Sequence, residues 1–377
     1  MTDPLGGSPA LLRARNARAI LDVLAEGVPL SRSALMRRTG LSRTAVTQLV
    51  QALTAQGAVV SGEPDQRTGG PAAQRSILSP TLGYALAAHL SADRVQIALV
   101  DATGATLAMQ SIPAPDGVPS TGLAALVQRV DSEAPGALQC VVVGVGGIVD
   151  ADGAVRTTTG LDGGALREGL SEALGVPVRI ENDVNLAAIA EMHATPSAER
   201  TFAYVSLADS FGAAIVIDGA LHRGSSGGAG EVGFLPQPGL ELGTAALDRS
   251  ALDTLSAEHG TEATSLAQLV GRAEAGDEAA IAVVDSVAQR IAIIVASLRL
   301  VLDPDAVVLA GIAARRLVLD AVHRRLDPFT DRLPVFIRAA VADTNPTLQG
   351  AGIEATTTLR EILFSRIVSA PTEGIRL

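Results

Sequence analysis

The sequence predicts an N-terminal winged helix-turn-helix followed by a two-lobed α/β body. Two helical patterns separated by a glycine-containing turn, with two β-prone runs after them, predict the first unit within residues 1–80. Beyond residue 80 the chain passes twice from β-rich segments to helices, which predicts two α/β lobes with a cleft between them. The charge divides at nearly the same place, because the N-terminal region is basic and the remainder is acidic.

The composition favours a folded protein without a membrane span. The chain has 377 residues, of which 47% are hydrophobic, and about two to three domains of ~150 residues fit this length. No uninterrupted apolar run approaches the ~18 residues that a span requires, and the N-terminus lacks the apolar segment of a signal peptide. The single cysteine, Cys140, cannot form an internal disulfide. These features predict a cytoplasmic protein.

The distribution of charge points to an anionic partner for one region only. All 29 basic residues are arginines. Residues 1–75 hold nine arginines and five acidic residues, a net +4, whereas the remaining residues hold 20 arginines and 35 acidic residues, a net −15. A basic region on an acidic body favours binding of a polyanion to that region. Chance is the alternative, since the excess is modest.

The elements of the first unit follow from caps and apolar spacing. A first helix has one apolar stripe, formed by Ala17, Ile20, Leu21 and Leu24. Ser31 is expected to cap a short second helix, and the turn Gly40-Leu41-Ser42 ends with an N-cap serine. The third helix, "SRTAVTQLVQALTAQG", has an apolar inner face and stops at Gly57.

Helix, glycine turn and second helix with a polar start form a helix-turn-helix, whose last helix can enter a DNA major groove. Its exposed face is predicted to carry Arg43, Thr44, Thr47 and Gln48. Arginine can pair with guanine edges and glutamine with adenine. The runs "AVV" and "SIL" predict a hairpin wing, with Arg67 and Arg75 near the DNA backbone or minor groove. The alternative is a small helical packing module.

The body reads as two similar halves. Strands are predicted at Tyr84–His89, Val95–Asp101 and Thr106–Ser111, followed by the buried run "LQCVVVGVGGIVD". A helix, a strand and the loop-to-helix segment "ENDVNLAAIAEMHA" complete the first half. The second half is expected to contain two strands, helices at Ala246–Glu258, Thr264–Glu274 and Asp277–Arg299, the strand "AVVLAG", the strand region "VFIRAAVA" and a helix from near Gly350.

These motifs, in this order, resemble the ROK family of repressors, open reading frames and kinases over nearly the whole chain. The segments that carry the resemblance are "GVGGIVD", "ENDVNLAAIAE", "IDGALHRGSSGGAGEVGF" and "VVLAG" after a winged helix. The resemblance implies an actin-like or hexokinase-like pair of lobes, a sugar in the cleft, and a homodimer or higher homo-oligomer. It divides the chain into the winged helix (1–80), a first lobe (81–190, completed by about 355–377) and a second lobe for ligand and oligomerisation (191–354).

Nucleotide binding is not expected. Kinases of the family approach the ATP phosphates with glycine-rich loops, because backbone N–H groups can then contact the anion. The matching stretches here read "HLSADR" and "LADSFG", and they contribute Asp93 and Asp209. Carboxylates facing a polyanion disfavour its binding, so we expect neither ATP as a cofactor nor kinase activity.

Asn182 and Asp183 of "END" are candidate effector-binding residues. In the family this aspartate is the general base toward the sugar hydroxyl, and a carboxylate there can also bind a sugar without catalysis. The alternative interpretation is that both residues only cap the helix that follows.

The loop "GGAGEVGFLPQPGLELGTAALD" departs from the family's zinc loop. Glu231 is retained, but Phe234 occupies the histidine position and residues such as Leu240 and Leu242 occupy cysteine positions. No tetrahedral N/S site can be assembled from these side chains, so no metal is expected. We expect instead an apolar brace, in which Phe234, Leu240 and Leu242 pack against one another to hold the loop. Asp248 matches the closing acidic residue of the family and joins the candidate effector set.

The sequence therefore predicts a DNA-binding transcriptional regulator of the ROK family, a repressor whose affinity for operator DNA is controlled by a sugar-like effector. One alternative is a DNA-binding regulator with a non-functional effector pocket. The other is an ATP-dependent sugar kinase.

Overall fold

A computed structural model describes residues 9–65, 73–114, 123, 136–150, 152–156, 162–195, 199–208, 211–262, 265–342 and 345–369. The N-terminal unit contains α1 (Pro9–Leu24), β1 (Leu30–Ser31), α2 (Arg32–Thr39), α3 (Arg43–Ala55), β2 (Val59–Asp65) and β3 (Ala73–Leu78). β2 and β3 form the predicted antiparallel wing hairpin, and the short β1 adds a third strand beside β3. The predicted winged helix-turn-helix is confirmed.

The first lobe is built on a five-stranded sheet in the order β10-β7-β4-β5-β6. Strands β4 to β10 of this lobe are Tyr84–Leu90, Arg94–Asp101, Thr106–Pro113, Leu138–Val145, Ile148–Val149, Val155–Arg156 and Val178–Asn182, with helix α4 at Gly163–Leu174. β8 and β9 pair with each other outside the five-stranded sheet. β4, β5 and β6 are antiparallel neighbours, whereas β7 and β10 run parallel to β4. β7 is buried along most of its length, as its continuous apolar run predicts.

The second lobe repeats this topology. Its sheet has the order β13-β12-β11-β14-β15, with an antiparallel meander on one side of β11 and parallel strands on the other. The lobe contains β11 (Phe202–Leu207), β12 (Phe211–Ile217), β13 (Ala220–His222), α6 (Arg249–Glu258), α7 (Leu266–Glu274), α8 (Glu278–Leu302), β14 (Ala306–Gly311), α9 (Arg316–Thr330) and β15 (Ile337–Ala339). The predicted two-lobed α/β body is thereby confirmed, although α9 was missed at the sequence level.

Helix α8 is long and apolar enough to pass a length-and-composition test for a membrane span. Its residues Val283, Val287, Ile291 and Ile294 are fully buried and pack with α7, α9 and β14 in one apolar cluster. The high hydropathy of α8 is therefore that of the central helix of a packed lobe, which is apolar on several faces.

Two helices, α5 (Asp183–Ala194) and α10 (Pro346–Ser369), join the lobes. α5 follows β10 of the first lobe but packs on the sheet of the second, and α10 follows β15 of the second lobe but packs on the sheet of the first. The two helices cross in close contact at Gly350, where a Cβ atom would lie 1.8 Å from the carbonyl oxygen of Leu186. α10 starts with Pro346, a residue favoured in the first helical turn, and so begins earlier than expected.

A buried carboxylate holds the place where the chain returns to the first lobe. Glu191 near the end of α5 is fully buried. Its oxygens accept hydrogen bonds from the backbone N–H groups of Val341 (3.0 Å) and Ala342 (2.9 Å) and pair with the guanidinium of Arg338. Glu199 forms a second ion pair with Arg338. Because β15 ends at residue 339, this cluster ties α5 to the segment that leads into α10.

The winged helix and the first lobe share one hydrophobic core. Leu21 and Val46 of the winged helix belong to the same buried cluster as Leu359 of α10 and residues of β4 and β5. Arg360 of α10 donates to two backbone carbonyls, those of Ala25 in the winged helix (2.9 Å) and of Ala102 directly after β5 (2.8 Å). The winged helix is therefore attached to the first lobe through α10.

Further contacts reinforce this attachment. Arg18 of α1 lies over the ring of Phe364, 5.2 Å from its centroid, and pairs with Glu361 at 2.9 Å. Both partners belong to α10. Such a cation–π contact contributes about 0.5–1 kcal/mol at an exposed site.

Candidate functional site

The first candidate surface is the exposed start of α3. Ser31 and Ser42 cap α2 and α3 through side-chain acceptance from backbone N–H groups, and Gly40 ends α2 in the left-handed conformation (φ 71°). These caps direct the turn that sets α3 across α2. The inner face of α3 is buried, with Val46, Leu49, Val50 and Leu53 in the core.

This packing leaves the predicted DNA-reading residues on one side of α3. Arg43, Thr44 and Gln48 are exposed, and Thr47 is half-buried. All four lie in the first two turns of the helix, which is the part that enters a major groove in helix-turn-helix proteins. Their role in DNA binding remains a prediction.

The structure describes only one of the two wing arginines predicted to approach DNA. Arg75 is half-buried on β3, opposite Ser31 of β1 and Gly62 of β2. Arg67 lies outside the described residues, as does the wing tip. The sequence reasoning did not include Arg32 at the start of α2 or Arg37 near its end, although both are exposed. Their charge at the surface of a basic unit was the signal that could have identified them.

The second candidate site lies between the lobes, at the start of α5. Asn182 caps α5, accepting a hydrogen bond from the Asn185 N–H at 2.9 Å, while its amide group donates to the Gly147 carbonyl at 2.9 Å. Asp183 accepts from the Val184 N–H at 2.8 Å. A Cβ atom on Gly146 would lie 3.7 Å from the second carboxylate oxygen of Asp183. Asn182 is thus the N-cap of α5, whereas Asp183 is its first residue, and sugar contact by either residue remains a prediction.

The glycine-rich loop that carries Glu231 closes the other side of this site. Gly227 and Gly230 have positive φ angles (78° and 93°), and a Cβ atom on either would lie 2.0 Å from a backbone carbonyl, of Val149 in the first lobe and of Ala213 in the second. The loop thus contacts backbone of both lobes, which only glycine permits. Val184, beside Asp183, packs near Gly212, directly before Ala213. Two adjacent residues at the start of β12 therefore lie next to Val184 and Gly230, the neighbours of Asp183 and Glu231.

Glu231 itself is half-buried, and its carboxylate makes no hydrogen bond or ion pair with any described residue. Burial raises the pKa of its carboxyl above the ordinary value of 4.5, because the charged form loses hydration. A desolvated acid whose carboxylate has no partner is a typical feature of a binding site.

Glu231→Gln is expected to raise the melting temperature at pH 7.5. In the unfolded state the Glu231 carboxyl ionises near pH 4.5, whereas in the folded state it ionises only at its raised pKa. The charged carboxylate therefore destabilises the fold above the raised pKa and has no effect on stability below pH 4.5. The gain in melting temperature should therefore disappear as the pH falls to 4.5. Glu241→Gln, at an exposed position of the same loop, should change neither value. An equal gain at both pH values would contradict the assignment.

Asp248 occupies a different environment. Its carboxylate caps α6, accepting a hydrogen bond from the Ala251 N–H at 2.7 Å, and the residue is exposed. No contact among the described residues joins Asp248 to Asp183 or Glu231. A role for Asp248 in effector binding remains a prediction.

An ion pair between the lobes was missed at the sequence level. Glu181, directly before Asn182, is only 2% exposed. Its carboxylate pairs with Arg223 of the second lobe (2.7 Å) and with Arg179 of the first (3.1 Å), and Arg179 also pairs with Glu354 of α10. Arg156 of β9 makes another contact between lobes, donating to the Ser226 carbonyl at 3.0 Å. The partners are far apart in sequence, so only a three-dimensional structure could identify them.

The apolar brace predicted for the loop is wrong. Phe234 is 49% exposed and Leu242 is 84% exposed, so neither packs in place of a metal. The loop is held by polar contacts with α8: Gln237 is buried against the Arg290 backbone carbonyl (3.5 Å), and the Arg290 guanidinium donates to the Ala246 carbonyl (2.6 Å). The arginine was overlooked because it lies 44 residues beyond its partner Ala246.

The residues at the zinc and nucleotide positions do not fit those groups. Phe234, Leu240 and Leu242 have no ligand atoms, and among the described residues no cluster of three or more His, Cys, Asp or Glu side chains could hold a metal ion. In the turn between β4 and β5, the Asp93 carboxylate accepts from the Ser91 hydroxyl at 3.2 Å. A carboxylate there repels phosphate. Asp209 lies outside the described residues.

Family models match both parts of the chain. The model of the ROK family matches residues 86–355, and that of the MarR family matches residues 14–68. Among curated proteins, the xylose repressor of Bacillus subtilis is 25% identical over 232 residues, covering 58% of this chain and 60% of that protein. The N-acetylmannosamine kinase of Citrobacter koseri is 31% identical over 152 residues, covering 38% and 52%. The matches thus span little more than half the length of these relatives.

Solved structures show the same fold. A ROK family transcriptional regulator, a homolog of the E. coli MLC protein, superposes with a TM-score of 0.72 at 18% identity, covering 96% of this chain and 100% of that one. A ROK hexokinase from Thermus thermophilus has a TM-score of 0.61 at 26% identity, covering 74% and 99%. The first similarity includes the winged helix, whereas the second is limited to about three quarters of the chain.

Proposed function

Since this chain belongs to the ROK family and begins with a MarR-type winged helix-turn-helix, we propose that it is a cytoplasmic transcriptional regulator that binds operator DNA. The observation that carries the proposal is the exposed, polar start of α3, with Arg43, Thr44 and Gln48 on one side. Similarity to xylose repressors supports repression as the mode of action. A homodimer or higher homo-oligomer would place two such helices on half-sites about one helical turn apart.

A sugar-like effector between the lobes is the proposed signal. Asn182 and Asp183 offer donors and acceptors at the start of α5, and Glu231 offers a half-buried carboxylate from the opposite loop. Carboxylate and amide groups of this kind suit a polyol or an amino sugar. An effector can regulate only by binding two states of the protein with different affinity.

The contacts of α10 provide a route from that site to the DNA-binding unit. Thr347 of α10 donates its hydroxyl hydrogen to the Asp183 backbone carbonyl at 3.1 Å. Further along α10, the Arg360 guanidinium donates a hydrogen bond to the Ala25 carbonyl of the winged helix. A change in the position of α5 relative to the first lobe would therefore be transmitted to the attachment of the winged helix.

We propose that the chain is not a sugar kinase and uses neither ATP nor zinc. Asp183 could serve as a general base, and kinases are among the relatives, so the argument depends on the phosphate-binding positions. Asp93 there disfavours a triphosphate. ATP-dependent phosphorylation of a sugar that is abolished in Asp183→Ala would contradict this part of the proposal.

Arg43→Ala is expected to weaken specific operator binding by about 1–3 kcal/mol, the cost of losing one bidentate base contact. An operator would first be selected from a random duplex pool with the full-length protein. Dissociation constants would then be measured by fluorescence anisotropy at fixed salt concentration. Arg316→Ala is the matched control, since this arginine is 94% exposed on the second lobe. Equal affinity of Arg43→Ala and wild type would show that α3 does not read the DNA.

The same assay tests the effector part separately. Operator affinity would be measured with added sugars, amino sugars and polyols, for wild type and for Asp183→Asn. A sugar that changes affinity only in the wild type supports the interlobe site. DNA binding that no compound changes would favour a regulator with a non-functional pocket, while leaving the DNA-binding proposal intact.

A further inference from the structure

The second lobe contains a cavity apart from the interlobe site. It has a volume of about 390 Å³ and lies between the loop that follows Glu231 and helices α6, α8 and α9. Its lining includes Gln237 from the loop, Ser286 and Arg290 from α8, and Arg325 from α9. A space of this size can hold a molecule as large as a monosaccharide derivative.

The cavity has an unsatisfied buried acceptor. Gln237 is 6% exposed, and the oxygen of its side-chain amide has no hydrogen-bond partner. The amide nitrogen makes only a long contact, 3.5 Å, with the Arg290 carbonyl. A buried acceptor without a donor costs about 1–3 kcal/mol. A ligand hydroxyl in the cavity would supply the missing donor.

The cavity also has a cation without a paired carboxylate. Arg290 donates to the Ala246 carbonyl at 2.6 Å, and among the described residues it forms no ion pair. Burial lowers the pKa of its guanidinium, and the charges of Glu258 and Asp248 oppose this shift without pairing directly with it. By contrast, Arg325 is paired with Asp285, and Ser286 contacts His259 at 3.0 Å. Arg290 is thus the guanidinium available to an anion.

We propose that this cavity binds a small hydroxylated oxyanion, such as a sugar acid or a sugar phosphate. The carboxylate or phosphate pairs with the Arg290 guanidinium, and a hydroxyl of the ligand donates to the side-chain oxygen of Gln237. Both side chains also hold the loop between Phe234 and Asp248, so the ligand would complete the polar brace of that loop. The site would act as a second effector site, and its existence does not depend on DNA binding.

Isothermal titration calorimetry on the full-length protein, at constant ionic strength in chloride, tests the proposal. The probes are gluconate, glucose 6-phosphate, sulfate and glucose. We expect gluconate or glucose 6-phosphate to bind, and the two distinguish the carboxylate from the phosphate source. Sulfate should bind more weakly because it has no hydroxyl to donate. Glucose should show no binding that depends on Arg290.

Two variants locate the site. Arg290→Met should weaken binding at least ~10-fold, since a charge-assisted hydrogen bond is lost. Gln237→Leu should also weaken binding, yet it should not lower the melting temperature of the free protein, because the unsatisfied acceptor is removed together with the long contact to the Arg290 carbonyl. Weaker binding at unchanged stability separates a ligand-binding role from a purely structural one. Arg316→Met, exposed elsewhere on the lobe, and Asp183→Asn, in the interlobe site, should leave this binding unchanged.

Three results would overturn the proposal. The first is that no hydroxylated anion binds, and the second is that binding persists in both Arg290→Met and Gln237→Leu. The third is binding that Asp183→Asn abolishes, which would place the anion in the interlobe site. The operator assay with Arg43→Ala is unaffected by any of these results, so failure here is distinguishable from failure of the DNA-binding proposal.

Discussion

Gly350→Ala is expected to lower the free energy of unfolding by about 3 kcal/mol, at the upper end of what overpacking costs. The added Cβ would lie 1.8 Å from the Leu186 carbonyl oxygen, 2.5 Å from its carbonyl carbon and 3.1 Å from its Cα. All three are backbone atoms of α5, so no side-chain rotation relieves the clash. The helices α5 and α10 would have to separate along the contact that joins the two lobes.

Gly352→Ala is the matched control, two residues further along α10. Its Cβ would be 3.6 Å from the nearest atom, a methyl group of Val100, which is ordinary van der Waals contact. Since alanine favours a helix over glycine by about 1 kcal/mol, this variant should be neutral or more stable. Melting temperatures of both variants, with urea denaturation followed by circular dichroism, would measure the difference. Equal stability of the two would mean that the helices do not cross at Gly350.

Glu191→Leu should be the most destabilising change at the junction of the lobes, costing about 4 kcal/mol, in the range for removing one partner of a buried ion pair. The leucine would leave the N–H groups of Val341 and Ala342 without their acceptor and would remove one of the two carboxylates around Arg338. Glu191→Gln should have a smaller effect, since an amide oxygen can still accept some of these hydrogen bonds.

Asp320→Asn tests whether this effect is specific to burial. Asp320 forms an i,i+4 pair with Arg316 at 3.6 Å, and both side chains are largely exposed. Exposed pairs contribute less than about 1 kcal/mol, so the change in melting temperature should be small. A loss for Glu191→Leu no greater than for Asp320→Asn would show that Glu191 does not hold the returning segment.

The N-terminal unit was the part most accessible from the sequence, because its signals are local. Ser31, Gly40 and Ser42 occupy the capping positions expected of them, and the apolar spacing of α3 gives its buried face. The wing hairpin was also correct. β1 was missed because two residues carry no periodic pattern, and they become a strand only through pairing with β3.

In the body, β7 was recognised from its continuous apolar run, and α8 was predicted close to its observed bounds. α9 was overlooked although Val318, Val322 and Leu326 recur at helical spacing, and its late Pro328 obscured the pattern. β15 has only three residues of the longer run expected, since its neighbour β14 pairs with no more than those.

The residues of the candidate sites also fall into those that were predictable from the sequence and those that were not. Asn182, Asp183 and Glu231 were identified from motifs, because the loops that carry them are continuous in sequence. Glu181 with Arg223, and Gln237 with Arg290, were not, since each pair joins segments more than 40 residues apart. The expected apolar brace failed for a related reason: hydrophobicity predicts a tendency to be buried, but Leu242 has no neighbouring surface that covers it.

The attachment of the winged helix to α10 has a mechanical consequence. A winged helix on a flexible linker would search DNA independently of the body. The distance between the two winged helices of an oligomer would then be set by the length of the linker. Here the Arg360 hydrogen bond and the shared core make the winged helix and the first lobe move as one unit. If copies associate through the second lobe, as the family resemblance implies, the distance between the two winged helices depends on the angle between the lobes. The spacer length between half-sites in the selected DNA would then report that angle.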